Sequence, residues 1–462
     1  MSEVGGGTPD GGAQLMGSAL TDSPFSRRSL IKGLSGAVGL AAVGGGVLAA
    51  CSSSSSGTPA ASGGSAASSG AATGTITFGS NYSDPSTKTA FASLTSAATT
   101  QSGVKITTNT VDHNTFQNNI STYLQGTPDD LATWFAGYRL EFFAAQNLLT
   151  PIDDVWDKIG SNFNDAGKSL SKGADGHYYM VPLYNYPWVV FYNKSVFTAK
   201  GYTVPTTWDQ FVALAKQMQK DGMVPIAFAD KDGWPALGTF DIINLRVNGY
   251  DFHIQLMKHQ VPWTDKRVTA VFNQWAEILP YCQKGATGRI WQDAAKALEN
   301  KQAGMMFQGS NQVAANYAAT NLADLDFFVY PVVNSAYGTD YMDAPTDGFM
   351  LPKKAKNAAA AKKVLEYIGT PAAETTFLQS DKWDVGLATG LVAPSYNDIQ
   401  KKGVAEIAKC KSVSQFMDRD TIPDMANAMI TLIQGFIDNP SASNITSLQA
   451  SAEAQAKTIF TA

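Results

Sequence analysis

The stretch that most restricts how this 462-residue chain can fold is residues 176–209, GHYYMVPLYNYPWVVFYNKSVFTAKGYTVPTTWD. It changes character twice along its length. Residues 177–182 are apolar and aromatic and end at a proline, as a strand does where the next N–H is missing. Tyr184, Tyr186 and Trp188 then crowd around Asn185 and Pro187. Residues 189–192 are a second β-branched and aromatic run, again strand-like. Thr207 and Gln210 make a capping box that starts a helix. Two strands joined by an aromatic cluster, with no helix between them, suit two arrangements. One is a crossing between two lobes that faces a ligand; the other is a strand pair inside a single core.

Upstream, residues 1–50 read as an export signal rather than as part of the fold. Arg27 and Arg28 sit in Ser26-Arg27-Arg28-Ser29-Leu30-Ile31-Lys32, which resembles a twin-arginine motif. The apolar run 33–50 is long enough to cross a bilayer, but its glycines leave it weakly hydrophobic. A retained membrane helix is the alternative. Leu48-Ala49-Ala50-Cys51 resembles a bacterial lipobox, which implies cleavage before Cys51 and a diacylglycerol on its sulfur. Residues 51–74 are almost entirely Ser, Ala, Gly and Thr. Such a segment buries too little apolar surface to fold and serves as a tether.

The order "GxxYxxP, aromatic patch, YNKxxFxxxGxxxPxTWD" resembles the hinge region of the family 1 extracellular solute-binding proteins, the sugar-capturing components of ABC importers. Gly176, Tyr179, Pro182, Tyr192, Asn193, Lys194, Phe197, Gly201, Pro205, Thr207, Trp208 and Asp209 carry the resemblance. It implies a two-lobed α/β fold of the periplasmic-binding-protein kind (type II), with mixed sheets flanked by helices. The chain would cross between the lobes more than once. The expected domains are the signal (1–50), the tether (51–74) and a bilobal body (75–462). Lobe 1 is expected near 75–185 and 333–380, and lobe 2 near 189–332 and 381–462.

Composition agrees with a chain of this kind without proving it. Charged residues are 16%, aromatics 11% and the net charge is −5. A mildly acidic balance argues against nucleic acid. Many aromatics with few charges suit a neutral polar ligand, and equally a large core. Cys282 and Cys410 either form one disulfide or remain two buried thiols. His113, His177, His253 and His259 show no metal spacing, and there is no phosphate loop, HExxH, CxxC or GxSxG. No cofactor or metal is expected.

Along the chain, residues 75–79 read as a strand followed by Asn81, Tyr82 and Asp84, which either face a ligand beyond the strand's carboxyl end or form a solvated turn. Residues 104–111 form a second strand ending at Asp112, and 114–125 a helix. The resemblance puts sugar-contacting aromatics at Trp134 and Trp234. Phe211, Leu214, Ala215 and Met218 share one helix face, as do Val268, Val271, Phe272 and Trp275. Residues 224–229, 305–308 and 327–332 read as strands. Asn311 stands where many relatives have a tryptophan, and Asp347 where they have the first glycine of a hinge pair. Asn357 is expected to cap a helix. The glycine-rich loop 383–394 reaches the cleft in relatives.

Sugars stack their C–H faces on aromatic rings and pair their hydroxyls with carboxylates and amides. Trp134, Tyr186, Trp188 and Trp234 are the stacking candidates. Asn81, Asp84, Asp112, Asn311 and Asp347 are the polar ones, with Tyr82 beside them. The resemblance implies a carbohydrate ligand, an ABC permease as partner, attachment to the cell membrane through Cys51, and a monomer. The alternatives are a secreted glycoside hydrolase working through paired carboxylates, a receptor for a non-sugar solute, and an adhesive lipoprotein.

Overall fold

The change of character around residue 186 is a change of sheet. The computed structural model of the chain describes residues 74–391 and 396–461; the proposed signal residues Arg27 and Arg28 and the lipobox Cys51 lie outside them. In chain order the strands are β1 (Gly74–Ser80), β2 (Val104–Thr110), β3 (Leu131–Phe135), β4 (Met180–Asn185), β5 (Trp188–Asn193), β6 (Val224–Ala227), β7 (Ala303–Gly309), β8 (Leu325–Phe328), β9 (Tyr341–Asp343), β10 (Thr346–Met350), β11 (Val385–Gly386) and β12 (Ser412–Ser414). One mixed sheet has the order β11-β4-β10-β3-β1-β2, a second has the order β6-β7-β5-β8, and β9 pairs with β12. β1 runs parallel to β2 and β3, while β10 lies antiparallel between β3 and β4. The architecture is α/β with two main sheets, each flanked by helices, and the two-stranded β9–β12 pair.

Each sheet anchors a lobe. β4 ends at Asn185 in the first and β5 begins at Trp188 in the second, so Tyr186 and Pro187 carry the crossing. Pro187 has no N–H to give to either ladder, which helps end one sheet before the next begins. The chain returns at Ala344 and Pro345, between β9 and β10. It crosses again between β11 and Ile399, which packs in the second lobe's core. Strand pairing moves the expected lobe limits in two places. Met342 of β9 packs in the second lobe's core, and β11 pairs in the first sheet. Both strands are too short for periodicity to reveal.

Local chemistry explains most elements. The Thr207–Gln210 capping box is formed and starts helix Trp208–Lys220, which buries Phe211, Leu214, Ala215 and Met218. Helix Lys266–Ile278 buries Val268, Val271, Phe272 and Trp275. Gly348 sits where β10 bulges against β4, and a Cβ there would collide with the carbonyl oxygen of Val181. Only glycine fits that approach, so the second position of the hinge pair keeps its glycine while Asp347 replaces the first.

Some expectations fail. The strand expected at 327–332 is Leu325–Phe328, because Pro331 cannot donate to a ladder; Val332 makes only an isolated bridge to Thr207. The strand expected at 224–229 stops at Ala227. Asn357 stands at the start of helix Ala358–Ile368 but does not cap it; its amide donates to Asp130 instead. Cys282 and Cys410 are both free thiols. Burial pushes the Cys282 thiol up to about 12, so it stays protonated and inert.

Candidate functional site

The carboxyl ends of the strands converge on a cavity of about 240 Å³ between the two sheets. From the first lobe, the turn after β1 brings Asn81, Tyr82, Ser83 and Asp84, and the end of β2 brings Asp112, His113 and Asn114. β4, the crossing and β5 bring Tyr184, Tyr186 and Trp188. The second lobe adds Asp232 and Trp234, then Trp291 and Gln292, then Asn311 and Gln312 just past β7. Asp347 of β10 and the turn Phe416–Arg419 complete the lining.

Arg419 is the centre of this arrangement. Its guanidinium donates to Asp347 Oδ1 at 2.5 Å and to the Tyr186 hydroxyl at 2.9 Å, and lies 4.0 Å over the Phe135 ring. Tyr184 donates to the other Asp347 oxygen at 2.9 Å. Burial alone would disfavour the charge on Arg419, but Asp347, Tyr186 and Asp418 outweigh it and hold the group firmly protonated. Phe416, just ahead, has φ 117, a left-handed backbone costly for an aromatic residue. Its ring lies 5.0 Å from Trp188 and 6.4 Å from Trp234, so packing holds the strained turn that presents Asp418 and Arg419.

The polar candidates divide by what they already hold. Asp112 accepts from the Thr115 backbone and hydroxyl, so it caps helix His113–Gln125 as well as lining the cavity. Asn81 is spoken for: it accepts from Thr133 at 2.7 Å and its amide reaches His113 Nδ1 at 3.3 Å. In that arrangement Nδ1 accepts and Nε2 carries the proton, and burial keeps the imidazole neutral by lowering its pKa. Asp84 stands at the start of helix Pro85–Ser102 without capping it, leaving its carboxylate facing the cavity. Burial raises its pKa, and His113 and Gln292 oppose the rise.

A set of buried polar atoms around the cavity finds no hydrogen-bond partner among the described residues. The acceptors are Asn311 Oδ1, Gln312 Oε1, Gln292 Oε1 and Asp418 Oδ1; Trp188 Nε1 and Arg419 Nε are donors. Unpartnered buried groups are costly, and their convergence on one space marks it as a place for a ligand rich in both donors and acceptors.

Nine of the ten ligand candidates line the cavity: Asn81, Tyr82, Asp84, Asp112, Tyr186, Trp188, Trp234, Asn311 and Asp347. Trp134 does not. It is fully buried, with its ring 4.7 Å from Phe135 and 5.8 Å from Phe143 and with Arg139 over it at 5.3 Å. It packs the core of the first lobe, as an aromatic in the middle of a sheet usually does. The described part of loop 383–394 does not line the cavity either; Glu374 instead ties down its Leu387 and Ala388 N–H groups. Sequence reasoning missed His113, Trp291, Gln292, Gln312, Asp418 and Arg419. The signal for the last two was Asp418-Arg419-Asp420, three consecutive charges following the apolar Phe416-Met417.

Asp230 lies beside the site and carries a pH dependence. Burial pushes its carboxyl up to about 8, only partly opposed by hydrogen bonds from Ala236 and Gln434. An unfolded Asp titrates near 3.9. The stability Asp230 adds as a neutral acid is therefore complete below that value and lost as pH rises through about 8. Asp230→Asn cannot ionise, so its melting temperature should gain on the wild type's between about pH 5 and about pH 9. A difference that stays flat across that range would mean the carboxyl is ionised throughout.

The chain matches the family of bacterial extracellular solute-binding proteins over residues 84–375. It is 77% identical to a solved structure of the bacterial solute receptor AcbH, with a TM-score of 0.83, covering 84% of this chain and 99% of that one. AcbH is a receptor with an exclusive substrate preference for β-D-galactopyranose. Among curated relatives, an uncharacterized ABC transporter extracellular-binding protein of Pyrococcus horikoshii is 27% identical over 296 residues, 63% of this chain and 66% of the relative. The alpha-glucosides-binding periplasmic protein AglE of Rhizobium meliloti is 24% identical over 279 residues, 55% of this chain and 59% of the relative. The matched stretch thus spans less than two thirds of either curated relative's length.

Proposed function

The chain belongs to the bacterial extracellular solute-binding proteins, and from that premise we propose that it is the sugar receptor of an ABC importer. It takes a single hexopyranose of the β-D-galactose kind into the cleft between its lobes and presents it to a membrane permease. One observation carries the reading: buried donor and acceptor atoms without a hydrogen-bond partner among the described residues, one each on Asn311, Gln312, Gln292, Asp418, Trp188 and Arg419, surround one cavity. A hydroxyl both donates and accepts, so a polyol satisfies such a set where a purely anionic or apolar solute would leave half of it unmet. The partly exposed Trp234 and the neighbouring Trp291 offer rings for the sugar's C–H face. Trp188 is 1% exposed and packs behind Trp234, with ring centroids 6.2 Å apart. Its role is to prop the platform and offer its N–H.

Calorimetric titration with galactose, its C4 epimer glucose and arabinose tests this, with chromatography of separate incubations with galactose-containing oligosaccharides for hydrolysis products. The receptor reading expects saturable galactose binding, weaker glucose binding and no turnover. A product peak would revive the hydrolase alternative. Binding of none of these sugars would sink the reading.

Twin-arginine export and lipid attachment complete the proposal: Arg27 and Arg28 direct export, and Cys51 takes the diacylglycerol that holds a monomeric receptor at the membrane's outer face. Cys51→Ser should abolish incorporation of labelled fatty acid while leaving galactose affinity unchanged, and Arg27→Lys with Arg28→Lys should leave unprocessed precursor in the cytoplasm. Lipid label on the Cys51→Ser protein, or normal export of the double lysine variant, would overturn the corresponding half.

A further inference from the structure

A second cavity, also of about 240 Å³, lies against the first. Asn114, Asp232, Trp234 and Asp418 line both, so they form the wall between them. That wall is tied across the cleft. Asn114 Nδ2 donates to Asp232 Oδ1 at 3.1 Å, and Gln117 Nε2 donates to Asp418 Oδ2 at 2.6 Å. Asn114 and Gln117 are three residues apart on helix His113–Gln125, so one face of a first-lobe helix supplies both donors. Asp232 precedes helix Trp234–Met257 of the second lobe, and Asp418 sits on the strained turn after Phe416. Arg139 and Arg419 both face Asp418 at 3.8 Å, so the acceptor of the shorter bond is held from several sides.

Resting on the sugar-receptor reading, we propose that the Asn114–Asp232 and Gln117–Asp418 hydrogen bonds partition the cleft and restrict the ligand to one sugar ring. The second chamber does not lack groups that would hold another ring. Asn118 and Asn427 line it. Arg139, 2% exposed, lines it too, and its Nε has no hydrogen-bond partner among the described residues. What excludes a glycosidically extended ligand is the wall. A second ring has to break both bonds and strip Asp232 and Asp418 of their amide partners, and a polar group stripped of its partner rejects more strongly than a small steric misfit.

The experiment titrates wild type, Gln117→Ala and the double variant Asn114→Gly with Gln117→Ala against galactose, lactose, melibiose and galactobiose. Wild type should bind galactose at least about a hundredfold more tightly than any disaccharide. Gln117 lies outside the first cavity, so Gln117→Ala should keep galactose affinity within about threefold while strengthening at least one disaccharide. The double variant should bind that disaccharide at least about tenfold more tightly than wild type does. A folded double variant that still rejects every disaccharide overturns the proposal, as does a wild type that binds disaccharides as well as galactose. If the double variant is unfolded, Gln117→Ala decides by the same criterion. A wild type that ignores galactose takes down the receptor reading and this proposal with it, a failure distinct from the other two.

Discussion

Arg419→Met should be the most damaging single change in the described cleft. It removes the guanidinium that neutralises Asp347 at 2.5 Å and holds the Tyr186 hydroxyl at 2.9 Å, all of them buried. Breaking a buried pair from one side leaves an uncompensated charge, at a cost of about 3–5 kcal/mol. The ligand-free protein should therefore lose that much stability in urea unfolding, and galactose binding should fall below detection. Adding Asp347→Asn to Arg419→Met removes the stranded carboxylate and should restore part of the stability without restoring binding. Non-additivity of this sign is the mark of a directly coupled pair. If the two losses simply add, Asp347 and Arg419 do not depend on each other and the centre of the site has been misassigned.

Trp234→Ala separates a binding role from a packing role. Trp234 is partly exposed at the cavity, whereas Trp275 is fully buried. Trp234→Ala should weaken galactose by at least about tenfold, equivalent to about 1.4 kcal/mol, with a smaller loss of stability. Trp275→Ala should cost about 3–5 kcal/mol of stability and leave the affinity of the remaining folded protein near wild type. The pair of measurements, melting and titration on both variants, should show opposite patterns. Trp234→Ala that unfolds early but binds normally would make Trp234 a core residue.

What the sequence made legible follows from where the information lies. The crossing at Tyr186–Pro187 could be read because strand, aromatic patch, strand and capping box all lie within one short stretch. Asn81 and Asp84, just past a strand end, were found because ligands in α/β sheets gather at those ends, whereas Asn311 and Asp347 were found through the family resemblance. Trp134 was misplaced by the resemblance. Being next to the strand end does not decide which face of the sheet a side chain takes, and here it takes the core. Arg419 was hidden for another reason. Its partners Tyr186 and Asp347 lie 233 and 72 residues away in sequence, and a short charged run in a C-terminal helical region reads as solvated surface. Gln292 and Gln312 belong to no motif. Their meaning appears only when the fold brings both side chains to one cavity with their amide oxygens unpartnered.

The most direct test of the account is a crystal structure of the protein with galactose. The account predicts one pyranose ring against Trp234, its hydroxyls within hydrogen-bond distance of first-lobe side chains such as Asp84 and of second-lobe amides such as Gln292 and Asn311. A sugar bound outside this cavity, or touching only one lobe, would contradict it.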